Sequence, residues 1–450
     1  MTQHPGKGTR GARQPSATED EELHFDVVVV GAGPSGLAAG IAAVRGGART
    51  CVLERDVRAG LTILATGNGR CNLSNAHLDP ARYRHPEAFR EVAGGAPEEE
   101  LRGFFESLGL MVAEEGGGRL YPRTRRAESV RDVLLRACSR EGVEVRCCCT
   151  LEAARHDGAA AAWELDVSEP AEPLRPKRGR DGRATLRNER RALQGAEMAG
   201  RRIRARSVVI ACGGACEGMA GIFGLPHLLE EPVLRPIAAT SEVLDLERLD
   251  GLRVEAALTL MHAGEAIARE EGEVLFRPHG VSGIAAFNLS RHAREGDRIE
   301  LDLFPELDLA ELAGTLHARE RRIGALARSD ASWFDGVLAP ELGRQVCAAL
   351  PASTDRAASA AALCKHLPLD VAPADGSEEG QVRRGGIPLD ALELETLAAR
   401  PGHGPALHAC GAALDMDADC GGYNLSWAWL SGLRAGAAAA HDIYGQEGSC

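Results

Sequence analysis

The sequence has 450 residues, of which 44% are hydrophobic and 26% are charged, a composition typical of a globular protein with two or three domains. Its formal net charge of −13 argues against a nucleic-acid partner, because an acidic surface repels the phosphate backbone. No apolar run approaches the roughly 18 residues of a transmembrane helix, so no membrane span is expected.

The N-terminal segment and the cysteines indicate the compartment. Residues 1–22 contain no apolar stretch of the signal-peptide type, and we expect them to form a disordered tail. The 13 cysteines include no CxxC pair, so the sequence supports neither a zinc site nor a dithiol centre, and no metal is predicted. These features predict a cytoplasmic protein with reduced thiols.

Residues 25–54 have the pattern of a strand, a tight turn, a helix and a second strand. The run Val27–Val30 is continuously apolar, as a buried parallel strand requires. A GxGxxG motif follows, in which the first glycine permits the turn, the second lets the backbone approach a pyrophosphate, and the third lets the helix pack closely on the strand. The predicted phosphate-binding residues are Gly31, Gly33, Pro34, Ser35 and Gly36.

A carboxylate ends the second predicted strand. Glu54 lies 18 positions after Gly36, the spacing at which an acidic residue accepts hydrogen bonds from a ribose diol, and Arg55 follows it. A carboxylate at this position disfavours a 2′-phosphate. The first-bound nucleotide is therefore predicted to be FAD or NAD rather than NADP.

The stretch ATGNGRCNLSN, residues 65–75, follows this unit. Gly69 permits close backbone approach to a ligand, and Arg70 and Asn72 offer donors to a phosphate or to a ring carbonyl. A redox role for Cys71 would require a second cysteine, and none is near in sequence. Packing is therefore the favoured interpretation of Cys71.

The middle of the chain divides by composition. Residues 168–200 are a charged insertion whose basic cluster fits a long solvated hairpin loop better than a nucleic-acid patch. Residues 236–304 have short apolar stretches broken by glycine and charge, which predicts a β-rich module, and residues 306–366 have the leucine and alanine spacing of a helical module that caps it. The cofactor-binding domain is expected to be discontinuous, from 23–235 and 368–450.

Two later glycine-rich segments favour FAD over NAD. A strand is predicted to run into Cys212-Gly213-Gly214, and another ends at ALHACG, as in flavoproteins of the two-dinucleotide-binding type, where FAD lies extended across the sheet edge. Gly421 and Gly422 are predicted to open a helix. Its N terminus can stabilise negative charge on a reduced flavin ring.

Four stretches carry a family resemblance, namely VVVVGAGPSGLAAG, ATGNGRCNLSN, GRLYPRTRRAESVRDVLL and GAALDMDADCGGYNLSWAWLSG. The sequence resembles the BaiN-like or YhiN-like NAD(P)/FAD-dependent oxidoreductases, some of which carry the name aminoacetone oxidase family. The resemblance implies an α/β fold with a Rossmann-like FAD-binding domain and inserted strand-rich and helical modules. It also implies that the GRCN loop lies beside the flavin.

The resemblance adds residues to the predicted FAD-binding set. The sequence also departs from the family pattern at two places. Beyond the phosphate turn and Glu54, the expected contacts are Arg55, Gly69, Arg70, Cys71, Asn72, Gly213, Gly411, Asp415, Gly422, Tyr423 and Asn424. The family's glutamate after Gly411 is replaced by Ala412, so Asp415 is expected to hold the ribityl chain instead. The segment after Gly214 also departs from the family pattern.

Tyr423 and His279 are the predicted proton-transfer residues. Tyr423 follows the Gly-Gly pair, although packing at a helix start is the favoured interpretation. His279 lies in a Pro/Gly loop that can reach a pocket between domains, although a lone loop histidine more often faces solvent.

The sequence therefore predicts an FAD-dependent oxidoreductase acting on a small or medium organic substrate, with NAD(P)H as a transient electron donor and an activated C=C bond as a candidate target. One alternative is an oxygen-using oxidase of amines or hydroxy compounds. Another, motivated by Ala412, is a flavin-binding protein with lost or regulatory activity. A tRNA-modifying flavoprotein is disfavoured by the net charge, and the oligomeric state is not specified by the sequence.

Overall fold

The computed structural model describes residues 23–180, 182–326, 331–373, 380–404 and 406–444. The expected N-terminal tail, residues 1–22, lies outside the described residues. None of the helices in these ranges combines the length and the apolar character that a bilayer crossing demands.

Strands and helices alternate in the first part of the chain. In the middle of the chain, a run of strands is followed by a run of helices. The strands are β1 (Leu23–Val30), β2 (Thr50–Glu54), β3 (Ser74–Asn75), β4 (Val112–Glu115), β5 (Arg119–Pro122), β6 (Glu144–Cys147), β7 (Thr150–Asp157), β8 (Ala162–Pro170), β9 (Met198–Ile210), β10 (Leu228–Val233), β11 (Ile237–Thr240), β12 (Arg253–His262), β13 (Glu265–Arg277), β14 (Gly280–Ser282), β15 (Arg298–Asp302), β16 (Leu367–Val371), β17 (Val382–Gly386), β18 (Leu392–Glu393), β19 (Ala398–Ala399) and β20 (Leu407–Ala409). The α-helices are α1 (Pro34–Arg45), α2 (Leu61–Ala65), α3 (Pro86–Ala93), α4 (Pro97–Ser107), α5 (Ala127–Glu141), α6 (Leu186–Gln194), α7 (Glu217–Ile222), α8 (Ile284–Leu289), α9 (Leu309–Ile323), α10 (Pro340–Ala349), α11 (Arg356–Lys365) and α12 (Tyr423–Tyr444).

A mainly parallel sheet forms the Rossmann-type part of the molecule. Strands β20, β9, β1, β2 and β6 are adjacent and parallel, and β8 extends the sheet by antiparallel pairing with β9. Val27, Val28 and Val29 of β1 have no solvent exposure, as expected for a central strand covered on both faces. The predicted Rossmann-like architecture with inserted modules is confirmed.

Helices α1 and α12 pack with their backbones almost in contact. A Cβ on Gly432 would lie 2.4 Å from the carbonyl oxygen of Ser35, and one on Gly436 would lie 2.1 Å from that of Ala39. Only glycine fits such an approach, since a methyl group would enter the neighbouring main chain. The C-terminal helix is therefore joined tightly to the helix that follows the first strand.

A closed six-stranded barrel forms the second part, with strand order β11-β14-β13-β12-β15-β16. Helices α9, α10 and α11 contribute Leu316, Val346 and Ala360 to the same buried core as the barrel. The closing strand β16 comes after these helices in the chain, beyond the expected boundary of the β-rich module at residue 304. The sheet closes only when β16 pairs with both β11 and β15, which leaves no open edge.

The charged insertion before β9 contains a helix that the sequence did not predict. It contains α6, whose N-cap Thr185 accepts a hydrogen bond from the backbone of Asn188. Arg190 of α6 contacts Asp56, and Arg58 forms two hydrogen bonds with Glu189, of 2.6 and 2.8 Å. The insertion joins the antiparallel strands β8 and β9, and none of the residues of α6 is buried. The helix itself was not predicted, because the partners that hold it lie more than 120 residues away in sequence.

Candidate cofactor and substrate site

The turn between β1 and α1 has the geometry of a phosphate-binding loop. Gly31 has a φ of +111°, and a Cβ there would lie 2.4 Å from the carbonyl oxygen of Ala211. A Cβ on Gly36 would lie 1.8 Å from the carbonyl oxygen of Gly31. Pro34 begins α1, and no side chain caps the helix N terminus. Its amide groups and its dipole are therefore suited to an anionic ligand.

Glu54 stands at the end of β2, beside this turn. Its carboxylate accepts hydrogen bonds from the backbone N–H groups of Ala32, at 3.0 Å, and of Asp56, at 2.8 Å. The carboxylate thus holds the glycine turn in place and is half-buried, whereas Arg55 is exposed. Its oxygens retain further lone pairs, the acceptors that a ribose diol needs.

We expect Glu54→Gln to weaken FAD binding about 10- to 100-fold, because an amide replaces a charged acceptor worth about 1.5–3 kcal/mol per bond. Quenching of flavin fluorescence during titration of the apoprotein measures the dissociation constant. Glu106→Gln, an exposed change on α4, is the control and should leave the constant unaltered. Equal affinity of Glu54→Gln and the wild type would remove Glu54 from the site.

The GRCN loop follows α2 and is held in an unusual backbone conformation. Gly67, Asn68, Gly69 and Cys71 all have positive φ angles. With its amide in the orientation that satisfies its neighbours, Asn72 donates to the carbonyl oxygens of Ser74, at 3.0 Å, and Leu120, at 3.2 Å, and accepts from the backbone N–H of Gly422, at 3.1 Å. Asn72 thus ties this loop to the distant Gly-Gly turn.

Arg70 extends from the same loop toward β5. Its guanidinium lies 4.6 Å from the ring centroid of Tyr121, donates to the Tyr121 hydroxyl at 3.3 Å, and lies 3.5 Å from a Glu115 carboxylate oxygen. The side chain is 46% exposed. It therefore remains accessible to an anionic ligand, although it is already partly neutralised.

Cys71 is fully buried, and burial raises the pKa of its thiol to about 11. A thiol with this pKa carries almost no thiolate in neutral solution, and the thiolate is the reactive form. We expect Cys71 to resist iodoacetamide in the native protein at pH 7.5 and to be alkylated fully in urea, as peptide mass spectrometry would show. Rapid native labelling would contradict the packing interpretation.

Two segments that are remote in sequence meet at the Gly421–Gly422 turn. A Cβ on Gly422 would lie 2.3 Å from the carbonyl oxygen of Ser74, and Asn75 donates to the carbonyl oxygen of Gly421 at 3.0 Å. The hydroxyls of Ser74 and Ser426 are 2.9 Å apart. The GRCN segment and the start of α12 therefore form one surface, although about 350 residues separate them.

The donors and the space in this region fit a dinucleotide. Gly69 and Gly213 both have positive φ angles, and no heavy atom lies within 4 Å of the position that a Cβ would take. Their backbone is therefore open to a ligand, as are the uncapped N terminus of α1 and the remaining lone pairs of the Glu54 carboxylate. An extended cofactor with anionic phosphates and a ribose diol matches this set.

Asp415 is buried and fully engaged. It accepts from the backbone N–H of Gly385 at 2.9 Å, and its oxygens lie 3.5 Å from Arg84 and 3.3 Å from His85. Gly411 is as constrained as its motif suggests, since a Cβ there would lie 2.3 Å from the Ser35 hydroxyl. That Asp415 holds the ribityl chain, in place of the family's glutamate where this chain has Ala412, remains a proposal.

Tyr423 and His279 lie in different surroundings. The Tyr423 ring packs edge-on against Tyr83, with centroids 5.9 Å apart, and burial raises the pKa of its phenol. Asn424 bonds to both backbone groups of Ala418 and thereby fixes the turn before α12. His279 is exposed at the turn between β13 and β14, and none of the contacts among the described residues joins it to the glycine-rich loops.

A buried charge network, which the motifs did not predict, joins the barrel part to the turn before α12. Asp417 is fully buried and accepts from Arg384 at 2.9 and 3.1 Å and from Arg291 at 2.8 Å. Arg291 also contacts Asp419, which Arg82 contacts at 3.1 Å. Although burial opposes ionisation of Asp417, hydrogen bonds and charges from Arg384 and Arg291 lower its pKa.

A second polar cluster lies after Gly214. Ligand atoms of Cys216, His227 and Glu230 all lie within 4.8 Å of one another. The Glu230 carboxylate already accepts from the backbone of Ala215 and Cys216 and lies 3.0 Å from the His227 ring nitrogen. These hydrogen bonds explain the cluster as a clamp on the turn, so it needs no metal ion for its stability.

Two protein-family models match this chain, one in the Rossmann part and one in the barrel part. Residues 25–171 match the HI0933-like protein Rossmann domain, and residues 231–327 match the HI0933-like protein barrel and H2TH domain. Together the two matches cover more than half of the chain.

Two relatives of assigned activity are similar over nearly their full length. The 3-dehydro-bile acid delta(4,6)-reductase of Clostridium scindens is 29% identical over 437 residues, which cover 92% of this chain and 98% of that protein. The ribosomal RNA dihydrouridine synthase of Escherichia coli is 23% identical and covers 90% of this chain and 96% of its own length. A 3-ketosteroid-delta4-(5alpha)-dehydrogenase structure from Rhodococcus jostii superposes with a TM-score of 0.46, at 16% identity, over 94% of this chain and 98% of that chain.

Proposed function

Because this chain belongs to the HI0933-like family of FAD-dependent oxidoreductases, we propose that it reduces an activated C=C bond in a small or medium organic molecule. The observation that carries the proposal is that the GRCN loop contacts the Gly421–Gly422 turn, while the helix that follows this turn, α12, packs on Ser35, just after the turn between β1 and α1. Similarity to the bile acid reductase along almost the whole chain supports the choice of bond. When bound, FAD supplies a hydride equivalent to an electron-poor carbon.

The proposed cofactor contacts follow from the geometry. The amides at the start of α1 would bind the pyrophosphate, and Glu54 would accept hydrogen bonds from the adenosine ribose. The open backbone at Gly69 and Gly213 allows close approach of the remaining cofactor. The N terminus of α12 would stabilise negative charge on the reduced ring.

The substrate is proposed to bind where the barrel part faces the turn before α12. Asn288 of α8 accepts from the backbone N–H of Cys420 at 2.7 Å, so the barrel approaches to within one residue of the Gly421–Gly422 turn. Tyr423 is the proposed group that acts on the substrate oxygen, by donating a hydrogen bond or a proton, since its raised pKa keeps the phenol protonated in neutral solution. His279 is the weaker candidate because it lies at an exposed turn.

We propose a cytoplasmic enzyme with NAD(P)H as transient electron donor and without a nucleic-acid substrate. The net charge of −13 supports the last point, and so does the pairing of Arg190, in the basic insertion, with Asp56 outside it. RNA is the second candidate substrate, because one relative is a ribosomal RNA dihydrouridine synthase. Salt-sensitive binding of ribosomal RNA would favour that alternative.

Anaerobic reduction tests the proposal. The holoprotein is mixed with NADH or NADPH, flavin absorbance near 450 nm is followed, and 2-cyclohexen-1-one is then added. We expect bleaching by one nucleotide and recovery of the absorbance with the enone. Aerobic peroxide release on amines or hydroxy compounds, without recovery by the enone, would support an oxidase. Retained flavin that responds to no donor or acceptor would support a binding protein without activity.

A further inference from the structure

Glu270 is a carboxylate on the core-facing side of strand β13, where a solvated residue is not expected. Side chains alternate along β13, so Glu270 shares a face with Val274 and Phe276, both fully buried in the barrel core. Its neighbour Glu271 points to the opposite face and is exposed. A carboxylate on a core-facing position needs partners, because burial without them is costly.

Its principal partner is Asn288, which connects it to the Gly421–Gly422 turn. Asn288 is buried on α8 and donates to Glu270 Oε2 at 2.9 Å, while its own amide oxygen accepts from the backbone N–H of Cys420 at 2.7 Å. Two successive hydrogen bonds, both made by Asn288, therefore connect Glu270 to the backbone that precedes α12. Rotation of the Asn288 amide is prevented because both of its ends are bonded.

Three charged groups act on Glu270, two from the Rossmann part and one from the barrel part. They are Asp419, which precedes the Gly-Gly turn, Arg82, which precedes Tyr83, and Arg291, which follows α8. Arg82 and Asp419 also act electrostatically on Tyr423. Glu270 from the barrel and Tyr423 from α12 thus share the same two charged neighbours.

We propose that Glu270 is the proton donor of the reaction, positioned by Asn288 on the barrel side of the substrate. This inference rests on the proposed function. The O–H bond of the carboxyl group breaks, and a C–H bond forms at the carbon that does not receive the hydride equivalent. The two electrons come from the reduced flavin, and the Glu270 carboxylate recovers its proton from solvent.

The acidity of the two candidates supports this division of roles. Burial raises the pKa of Glu270, and Asp419 raises it further, whereas the hydrogen bond from Asn288 and the charges of Arg82 and Arg291 lower it. A carboxyl group with a raised pKa is still a much stronger acid than a phenol, and burial raises the pKa of the Tyr423 phenol above its ordinary value. Tyr423 is better suited to donate a hydrogen bond to the substrate carbonyl.

The test compares Glu270→Gln with the matched control Glu271→Gln on the opposite face of the strand. Each holoprotein is reduced anaerobically with dithionite and mixed with 2-cyclohexen-1-one in a stopped-flow instrument. We expect reoxidation of Glu270→Gln to slow by about 100-fold or more, with flavin affinity unchanged, and Glu271→Gln to react like the wild type. The wild-type rate should fall as pH rises through the Glu270 pKa, and this limb should vanish in Glu270→Gln.

An infrared titration provides a readout that does not depend on turnover. A carboxylic acid C=O band that titrates above the ordinary glutamate value of 4.5 should be present in the wild type and Glu271→Gln, and absent from Glu270→Gln. If the wild type itself fails to reoxidise, the proposed function fails. If the wild type reoxidises and Glu270→Gln does so at the same rate, or if no such band is lost, Glu270 is not the donor.

Discussion

Gly422→Ala should yield a protein that no longer retains flavin. The new methyl group would lie 2.3 Å from the carbonyl oxygen of Ser74, and the φ of +103° at this position is unfavourable for alanine. The GRCN segment and the start of α12 would have to separate. We expect a loss of stability of about 3 kcal/mol and a rise of about 100-fold in the FAD dissociation constant. Urea denaturation and flavin titration measure the two effects.

Gly103→Ala is the control for this substitution. Gly103 lies in α4, with no heavy atom within 4 Å of the position of a Cβ, so alanine should be neutral or slightly stabilising. A Gly422→Ala protein that purifies yellow with wild-type affinity would contradict the claim that the GRCN segment and the start of α12 form one cofactor surface.

Arg291→Met should destabilise the protein about as much as Gly422→Ala does, but for a different reason. Arg291 is only 7% exposed and bonds to both Asp417 and Asp419, so its removal leaves buried negative charge with fewer partners. We expect a loss of about 3 kcal/mol, measured by urea denaturation, and separate unfolding of the barrel and Rossmann parts in calorimetry. Arg294→Met, an exposed neighbour, should change stability by less than about 0.5 kcal/mol.

The double variant Arg291→Met/Asp417→Asn and the pH dependence test the same network. Because Asp417→Asn also removes the buried negative charge, the double variant should recover about 1–2 kcal/mol of the stability that Arg291→Met loses. Because the folded-state pKa of Asp417 is lowered, its stabilising contribution is present above the ordinary value of 3.8 and is lost as pH falls through the folded value. The stability difference between the wild type and Asp417→Asn should therefore shrink in acid. A difference that is independent of pH would contradict this.

Much of the Rossmann part was predictable because its determinants are local. Val27–Val30 and the glycines at 31, 33 and 36 specify the strand, the turn and the helix within about a dozen residues. The same holds for the positive φ angles of the GRCN loop, which its glycines and Asn68 anticipate. The contact between that loop and the C-terminal turn was expected only from the family resemblance.

The charge network and the last barrel strand were missed because their partners are remote in sequence. Arg291 and Asp417 are 126 residues apart, and Arg384 resembles an ordinary surface arginine until its partner is known. The alternation of Glu270 with Val274 and Phe276 was a usable signal, since it places a carboxylate on an apolar face. Strand β16 is too short to be distinguished from a loop without the barrel edge that it closes.

The near-contact of α1 with α12 has a consequence for synthesis on the ribosome. Helix α1 and strand β1 emerge first, yet α12, which covers them, extends to Tyr444. At translation rates of about 5–20 residues per second, the interval between them is roughly 20–80 s. The nascent N-terminal region must wait that long with apolar surface uncovered, so newly made chains should depend on chaperones that shield them, and the nucleotide cannot be captured in its final site before translation is almost complete.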